Sequence, residues 1–220
     1  MDEILLVGSA GHAKVIVDIV EKQGKYRIAG FLEHSRPKGE LVQGYPVVGQ
    51  EEDLPQLIES LGIKGILVAI GDNYLRSKVA AKIGAIAPDL PFVTAIHPQA
   101  TIARDVTIEA GTVVMAGGIV NPACTVGRFC VVNTNASLDH DGVMEDFSSL
   151  APRVATGGFC RIGAYSAIGI GAVLIHRMVV GEQSVVGAGS TVLKPVEPYQ
   201  VVYGTPAKFV RSRKPGDKYM

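Results

Sequence analysis

The chain has 220 residues, 47% of them hydrophobic and 19% charged, a composition that excludes a disordered or collagen-like polymer. Lys plus Arg (21) equals Asp plus Glu (21), so no excess positive charge points to a nucleic-acid or anionic-membrane partner. No apolar run approaches the roughly 20 residues of a membrane span, and the opening Met1-Asp2-Glu3 is acidic, unlike a signal peptide; the expectation is a cytoplasmic protein.

Residues 1–92 alternate short apolar strands with amphipathic helices, the pattern of a small parallel sheet and a Rossmann-like βαβ domain. Ile4 to Val7 is a strand, followed by Gly8-Ser9-Ala10-Gly11-His12 and a helix from about Ala13 to Gln23. Ile28 to Leu32 is a second strand and Tyr45 to Gly49 a short strand or turn. Asp53 to Leu61 is a helix with Asp53 as N-cap, Gly65 to Ile70 a strand, and Tyr74 to Ile86 a helix. A Gly-rich turn between strand and helix is either a plain tight turn or a phosphate cradle. It lacks the full GxGxxG fingerprint, which disfavours NAD. Glu33 and Gly71 fall at the same carboxyl edge, where open α/β sheets bind ligands.

From Ile96 the chain repeats every six residues. Stepping by six to Val192 gives an aliphatic or Met at sixteen of seventeen positions, and only Thr156 departs. Four residues further on the side chains are nearly all small, and the position directly after the stepped residue is glycine at Gly127, Gly157, Gly163, Gly169, Gly181 and Gly187. Neither a helical nor a two-residue period produces this. It is the hexapeptide pattern of a parallel β-helix and resembles the left-handed form, with three hexapeptides per 18-residue triangular coil. The expectation is that the aliphatics point inward and that glycine supplies backbone conformations other residues resist. Cys124, Cys130 and Cys160 fall on the small inward position and read as buried apolar residues. No CxxC spacing suggests a disulfide framework or structural zinc.

The organisation expected is thus 1–92 Rossmann-like, 93–198 left-handed β-helix, and 199–220 a tail. Leu6 to Val15, Val68 to Asn73, Asn133-Thr134-Asn135 with His140-Asp141, and Tyr203 to Lys208 together resemble the bacterial sugar acetyltransferases of the PglD/NeuD type. The resemblance covers essentially the whole chain. It implies acetyl-CoA as cosubstrate without a metal, a homotrimer with CoA between adjacent β-helices, and a nucleotide-linked 4-amino-sugar held by the N-terminal domain. The pathway implied is bacterial surface glycan biosynthesis. His140, outward-facing in the coil register, is then the general base and Asp141, where relatives often have Glu, its orienting carboxylate. Gly158 lies one coil, 18 residues, above His140 and would offer its N–H to the thioester oxygen. Ile170 and Ala188 match positions around CoA, and Asn133 a substrate contact. Gly8, Ser9, Gly11, His12, Glu33 and Gly71 would line the nucleotide-sugar site. Ser149 stands where many relatives carry His, and Glu33-His34 where relatives often pair two acids. The basic tail Lys208 to Lys218 is expected to be a solvated terminus, with CoA phosphate contact as the other reading.

Three alternatives compete. One is a sialic acid O-acetyltransferase and another a non-catalytic nucleotide-sugar-binding scaffold. The third, a zinc hydratase of the γ-carbonic-anhydrase type, needs three converging His. Among five His, His140 and His176 lie two coils apart in one column, too far to share a metal within one chain.

Overall fold

The computed structural model describes residues 1–218. The chain divides into two compact units, Met1–Pro98 and a second from Gln99 onward.

The first unit is a five-stranded sheet of β1 (Asp2–Val7), β2 (Tyr26–Leu32), β3 (Leu41–Val42), β4 (Tyr45–Gly49) and β5 (Ile63–Val68), in the order β3-β4-β2-β1-β5. All neighbours are parallel except β3 with β4. Helices α1 (Gly11–Gln23), α2 (Leu54–Leu61) and α3 (Asn73–Ile86) connect or follow the strands. Ile4, Leu5, Leu6, Ile66 and Leu67 are fully buried, because the central parallel strands need apolar residues on both faces. The chain leaves β1 toward β2 on one side and β5 lies on the other, so the strand order reverses at β1 and opens a crevice at its carboxyl end.

Element edges differ from the sequence reading where backbone bonding decides. Helix α1 starts at Gly11, two residues early, with Ala10 as a cap that offers no side-chain acceptor. Strand β5 ends at Val68, so Ala69 and Ile70 already belong to the edge loop. Asp53 does not cap α2 with its side chain; it ends a 3₁₀ turn, Glu51–Asp53, and its carboxylate accepts the Gln50 N–H at 2.9 Å.

The second unit is a parallel β-helix of two-residue strands. Partners lie 18 residues apart, as in Ile119 with Ser137 and Ser137 with Ala155. Three faces result. Face I carries Thr101–Ile102, Ile119–Val120, Ser137–Leu138, Ala155–Thr156, Val173–Leu174 and Thr191–Val192. Face II carries Thr107–Ile108 through Val179–Val180, and face III includes Val113–Val114 through Val185–Val186. The second residue of each strand points inward: Val120, Val126, Val132, Leu138, Met144 and Leu150 are fully buried. The three cysteines are buried and form no disulfide among the described residues.

The repeated glycines work differently from the expectation. None of the six that follow the aliphatic has positive φ; the left-handed conformation falls two residues later, at every sixth residue from Asp105 to Gly189. Most of those are not glycine, and the backbone is held there by bonding to the coil below, as in Phe147 N–H to Arg128 O at 2.8 Å. What the repeated glycines supply is room. A Cβ on Gly163 would lie 2.5 Å from Glu182 N, and one on Gly157 2.6 Å from His176 N. Gly163→Ala therefore drives a methyl into backbone that cannot yield. The expected result is a loss of about 1–3 kcal/mol, read as a Tm several degrees lower in thermal unfolding.

The tail extends the solenoid. Gln200–Tyr203 pairs parallel with Val185–Val186, and Lys208–Ser212 returns antiparallel against it, so face III continues past residue 198. The side chains of 208–212 are exposed, but Arg213 is buried and donates to Gln183 O at 2.9 Å. Among the described residues no helix is long and apolar enough to cross a membrane.

Candidate active site

His140 sits at the corner where face I turns into face II. Its turn is built by three bonds around Asp139. The Asp139 carboxylate accepts His140 N–H at 2.8 Å and Asn121 Nδ2 at 2.7 Å, while Asp139 N–H donates to Thr156 Oγ1 at 3.0 Å. Thr156 is the one break in the aliphatic series, buried but hydrogen-bonded, and that break was the available signal for it. Asn121 and Asp139 carry no comparable mark in the sequence.

Asp141 follows in the left-handed conformation, φ 56°, and its Oδ2 lies 2.8 Å from His140 Nδ1. Asp, one methylene shorter than Glu, therefore reaches. A carboxylate only accepts, so Nδ1 carries the proton and Nε2 presents its lone pair. The Asp141 hydrogen bond, with the nearby Asp139 charge, outweighs slight desolvation and raises the imidazole above its ordinary pKa.

Gly158 lies one coil up in the same column. A Cβ there would meet the imidazole, 2.5 Å from Cε1, 3.0 Å from Cδ2 and nearer still to Nε2. Nε2 thus faces the Gly158 backbone. Gly158 is buried, and its N–H donates to no acceptor among the described residues. The column continues outward through exposed His176 and Lys194.

Asn133, Ile170 and Ala188 are brought together at a different corner, between faces III and I. Asn133 is half-buried and its Oδ1 accepts Thr134 N–H at 2.8 Å. Ile170 and Ala188, one coil apart, are exposed. One chain does not unite this corner with His140. Face I separates them, and its outer surface carries exposed Ile119 and Val173.

In the first unit the edge residues do converge. Gly8, at φ 89°, turns the chain at the end of β1 in a conformation that favours glycine. The Glu33 carboxylate then takes five donors: Oε2 accepts Ser9 N–H at 3.0 Å and Ser9 Oγ at 2.6 Å, and Oε1 accepts His34 N–H, Ser35 N–H and Ser35 Oγ at 2.9, 3.0 and 2.9 Å. Partial burial pushes this carboxyl up, but the Ser9, Ser35 and His34 bonds outweigh it and hold the pKa at about 2. Glu33, expected to touch substrate, instead has both oxygens filled by the loop's own donors. Its charge also occupies Ser9 N–H, which leaves Ala10 and Gly11 as the loop's exposed part. Glu33→Gln, which turns an amide against one set of donors, is expected to loosen this loop, read as faster amide hydrogen exchange at Ser9 and Ser35.

His12 packs near Gly71, whose Cβ would lie 3.7 Å from His12 Cγ. Burial, then the Arg76 charge, lowers His12 to a pKa of about 4, so the ring is neutral at pH 7. Its buried Nε2 has no hydrogen-bond partner among the described residues. Arg76, also buried, is held by Gly71 O at 2.8 Å and Asn73 Oδ1 at 2.6 Å. His34, Glu51 and Glu52 gather metal-type donors, but Lys82 stands among them, 2.6 Å from Glu52 and 3.3 Å from Glu51.

The PglD N-terminal domain model matches residues 3–83. The acetyltransferase domain of PglB from Neisseria gonorrhoeae, solved with acetyl coenzyme A, is 32% identical with a TM-score of 0.87 over 94% of this chain and 98% of that one. PerB from Caulobacter crescentus, solved with CoA and GDP-perosamine, is 32% identical with a TM-score of 0.89 over 96% and 98%. The chain belongs to the PglD-type sugar acetyltransferases. Among curated relatives of this PglD-type chain, the UDP-N-acetylbacillosamine N-acetyltransferase of Bacillus subtilis is 30% identical over 116 residues, 53% of this chain and 52% of that protein. The match thus spans about half the length of that relative. The alignments cover 94% and 96% of this chain and so run through both units.

Proposed function

We propose that the protein transfers acetyl from acetyl-CoA to the amine of a nucleotide-linked 4-amino-sugar in bacterial surface glycan biosynthesis, by direct attack and without a metal. The observation that carries this is the imidazole fixed at Nδ1 by Asp141 with its free Nε2 turned to the Gly158 backbone. Nε2 takes a proton from the sugar nitrogen as that nitrogen attacks the thioester carbonyl, and Asp141 stabilises the imidazolium that forms. The Gly158 N–H donates to the carbonyl oxygen as it becomes an oxyanion. Collapse of the tetrahedral adduct breaks the C–S bond and releases the CoA thiol.

The first unit holds the nucleotide through the backbone of the Gly8, Ser9, Gly11 and His12 turn and Gly71, with Glu33 fixing the turn through Ser9. Asn133, Ile170 and Ala188 serve the site from their own corner. Their separation from His140 within one chain supports a homotrimer in which one subunit's face III–I corner meets the next subunit's His140 corner. The exposed apolar side chains of face I between the two corners favour such an assembly.

The test is a panel of UDP-, dTDP- and GDP-linked 4-amino-sugars plus free sialic acid, each with acetyl-CoA and a thiol reagent. Thiol release with one amino-sugar supports the reading. Release with sialic acid alone makes the protein an O-acetyltransferase, and no release with any acceptor leaves a binding scaffold.

A further inference from the structure

Five aromatics of the second unit, Phe129, Phe147, Phe159, Tyr165 and Tyr199, sit in the left-handed conformation, and three of them stack on each other. Phe129, Phe147 and Tyr165 rise one coil apart with ring centroids 4.9 and 5.2 Å from their neighbours and interplanar angles of 3° and 12°. Phe159 belongs to another column, with Asp141 one coil below and Arg177 one coil above. It is 50% exposed and sits at φ 61°, a conformation costly for a bulky side chain. Its ring stands edge-on to His140, centroids 5.2 Å apart at 85°, within the range aromatic pairs prefer. The Arg177 guanidinium lies over the Phe159 ring, 5.6 Å from its centroid. Phe159 N–H also donates to His140 O at 2.9 Å, so the two residues are tied through backbone as well.

An apolar ring at a half-open corner adds little to the core. What it touches is the imidazole. His140 and Asp141 side chains are themselves 51% and 44% exposed, so the Nδ1 hydrogen bond sets the tautomer and leaves the tilt of the ring to its other contacts. We infer that Phe159 is a positioning residue that locks the His140 ring, with Asp141, in the orientation that aims Nε2 at Gly158. This rests on the acetyl-transfer reading for its kinetic consequence but not for its structural one.

The experiment compares Phe159→Ala, Phe159→Leu and Phe159→Tyr in the full chain by steady-state kinetics and by nitrogen-detected NMR of the His140 imidazole. Phe159→Ala should lower kcat about 3–10-fold with both KM values within twofold. Phe159→Tyr should restore kcat, and Phe159→Leu, which keeps bulk but no ring, should not. In the spectra the hydrogen-bonded Nδ1–H signal should broaden in the Ala and Leu variants and persist in Tyr. Wild-type kcat in Phe159→Ala, full restoration by Leu, or unmoved His140 signals would overturn the inference. If no acceptor supports transfer in the wild type, the acetyltransferase reading fails while the NMR comparison still decides the role of Phe159.

Discussion

His140→Ala is expected to lower kcat by about 10²–10⁴-fold, the range general-base catalysis contributes, while leaving the circular dichroism spectrum and both KM values near wild type. The residue is exposed and buries no core surface, so the fold has little to lose. The pH profile gives a second readout. The base must be neutral, so log(kcat/KM) should rise with unit slope as pH climbs through the His140 pKa and then level off. Because Asp141 raises that pKa, the rising limb lies above the ordinary imidazole position. Asp141→Asn removes the charge, so the limb should move to lower pH. The plateau should fall as well, since the imidazolium loses its partner and the ring its fixed tautomer. His140→Ala should lack the limb. Transfer by His140→Ala near the wild-type rate would remove the proposed base outright.

The solenoid was legible because its geometry is written in a period. An 18-residue coil with three inward aliphatics leaves no other phase, and the register alone puts Gly158 one coil above His140. The same logic misjudged the repeated glycines. Sequence shows that a side chain is missing, not whether dihedral freedom or volume demands it, and the volume answer needs the neighbouring coil's backbone. Thr156 stood out as an exception, yet its purpose, accepting from Asp139 N–H, depends on a residue 17 positions away. Glu33 illustrates a different limit. A carboxylate at a sheet's carboxyl edge reads as a ligand contact, but whether its oxygens are free depends on five donors, two of them from Ser9, 24 residues distant. Phe159 was invisible for the opposite reason: in a chain where Phe129 and Phe147 fill similar corner positions, only coordinates separate a stacking aromatic from one that meets an imidazole.

Gly158→Ala is the sharper probe of the site, because the same substitution elsewhere in the solenoid should do something else. At Gly163 the added methyl meets backbone and the cost falls on stability. At Gly158 it meets the tip of a half-exposed side chain that can swing into solvent, and the backbone there has no positive φ to strain. The fold should therefore survive with little change in Tm. To make room, however, the imidazole must leave its place beside Gly158, which disturbs its bond to Asp141, while the methyl crowds the proposed oxyanion position. Loss of one such donor costs about 10²–10³ in kcat, and displacement of the base falls on the same step. If both residues act as one unit, the His140→Ala, Gly158→Ala double variant should be scarcely slower than His140→Ala alone. Multiplicative losses would mean that base and amide work independently, and a Gly158→Ala enzyme with wild-type kcat would move the thioester away from this column altogether.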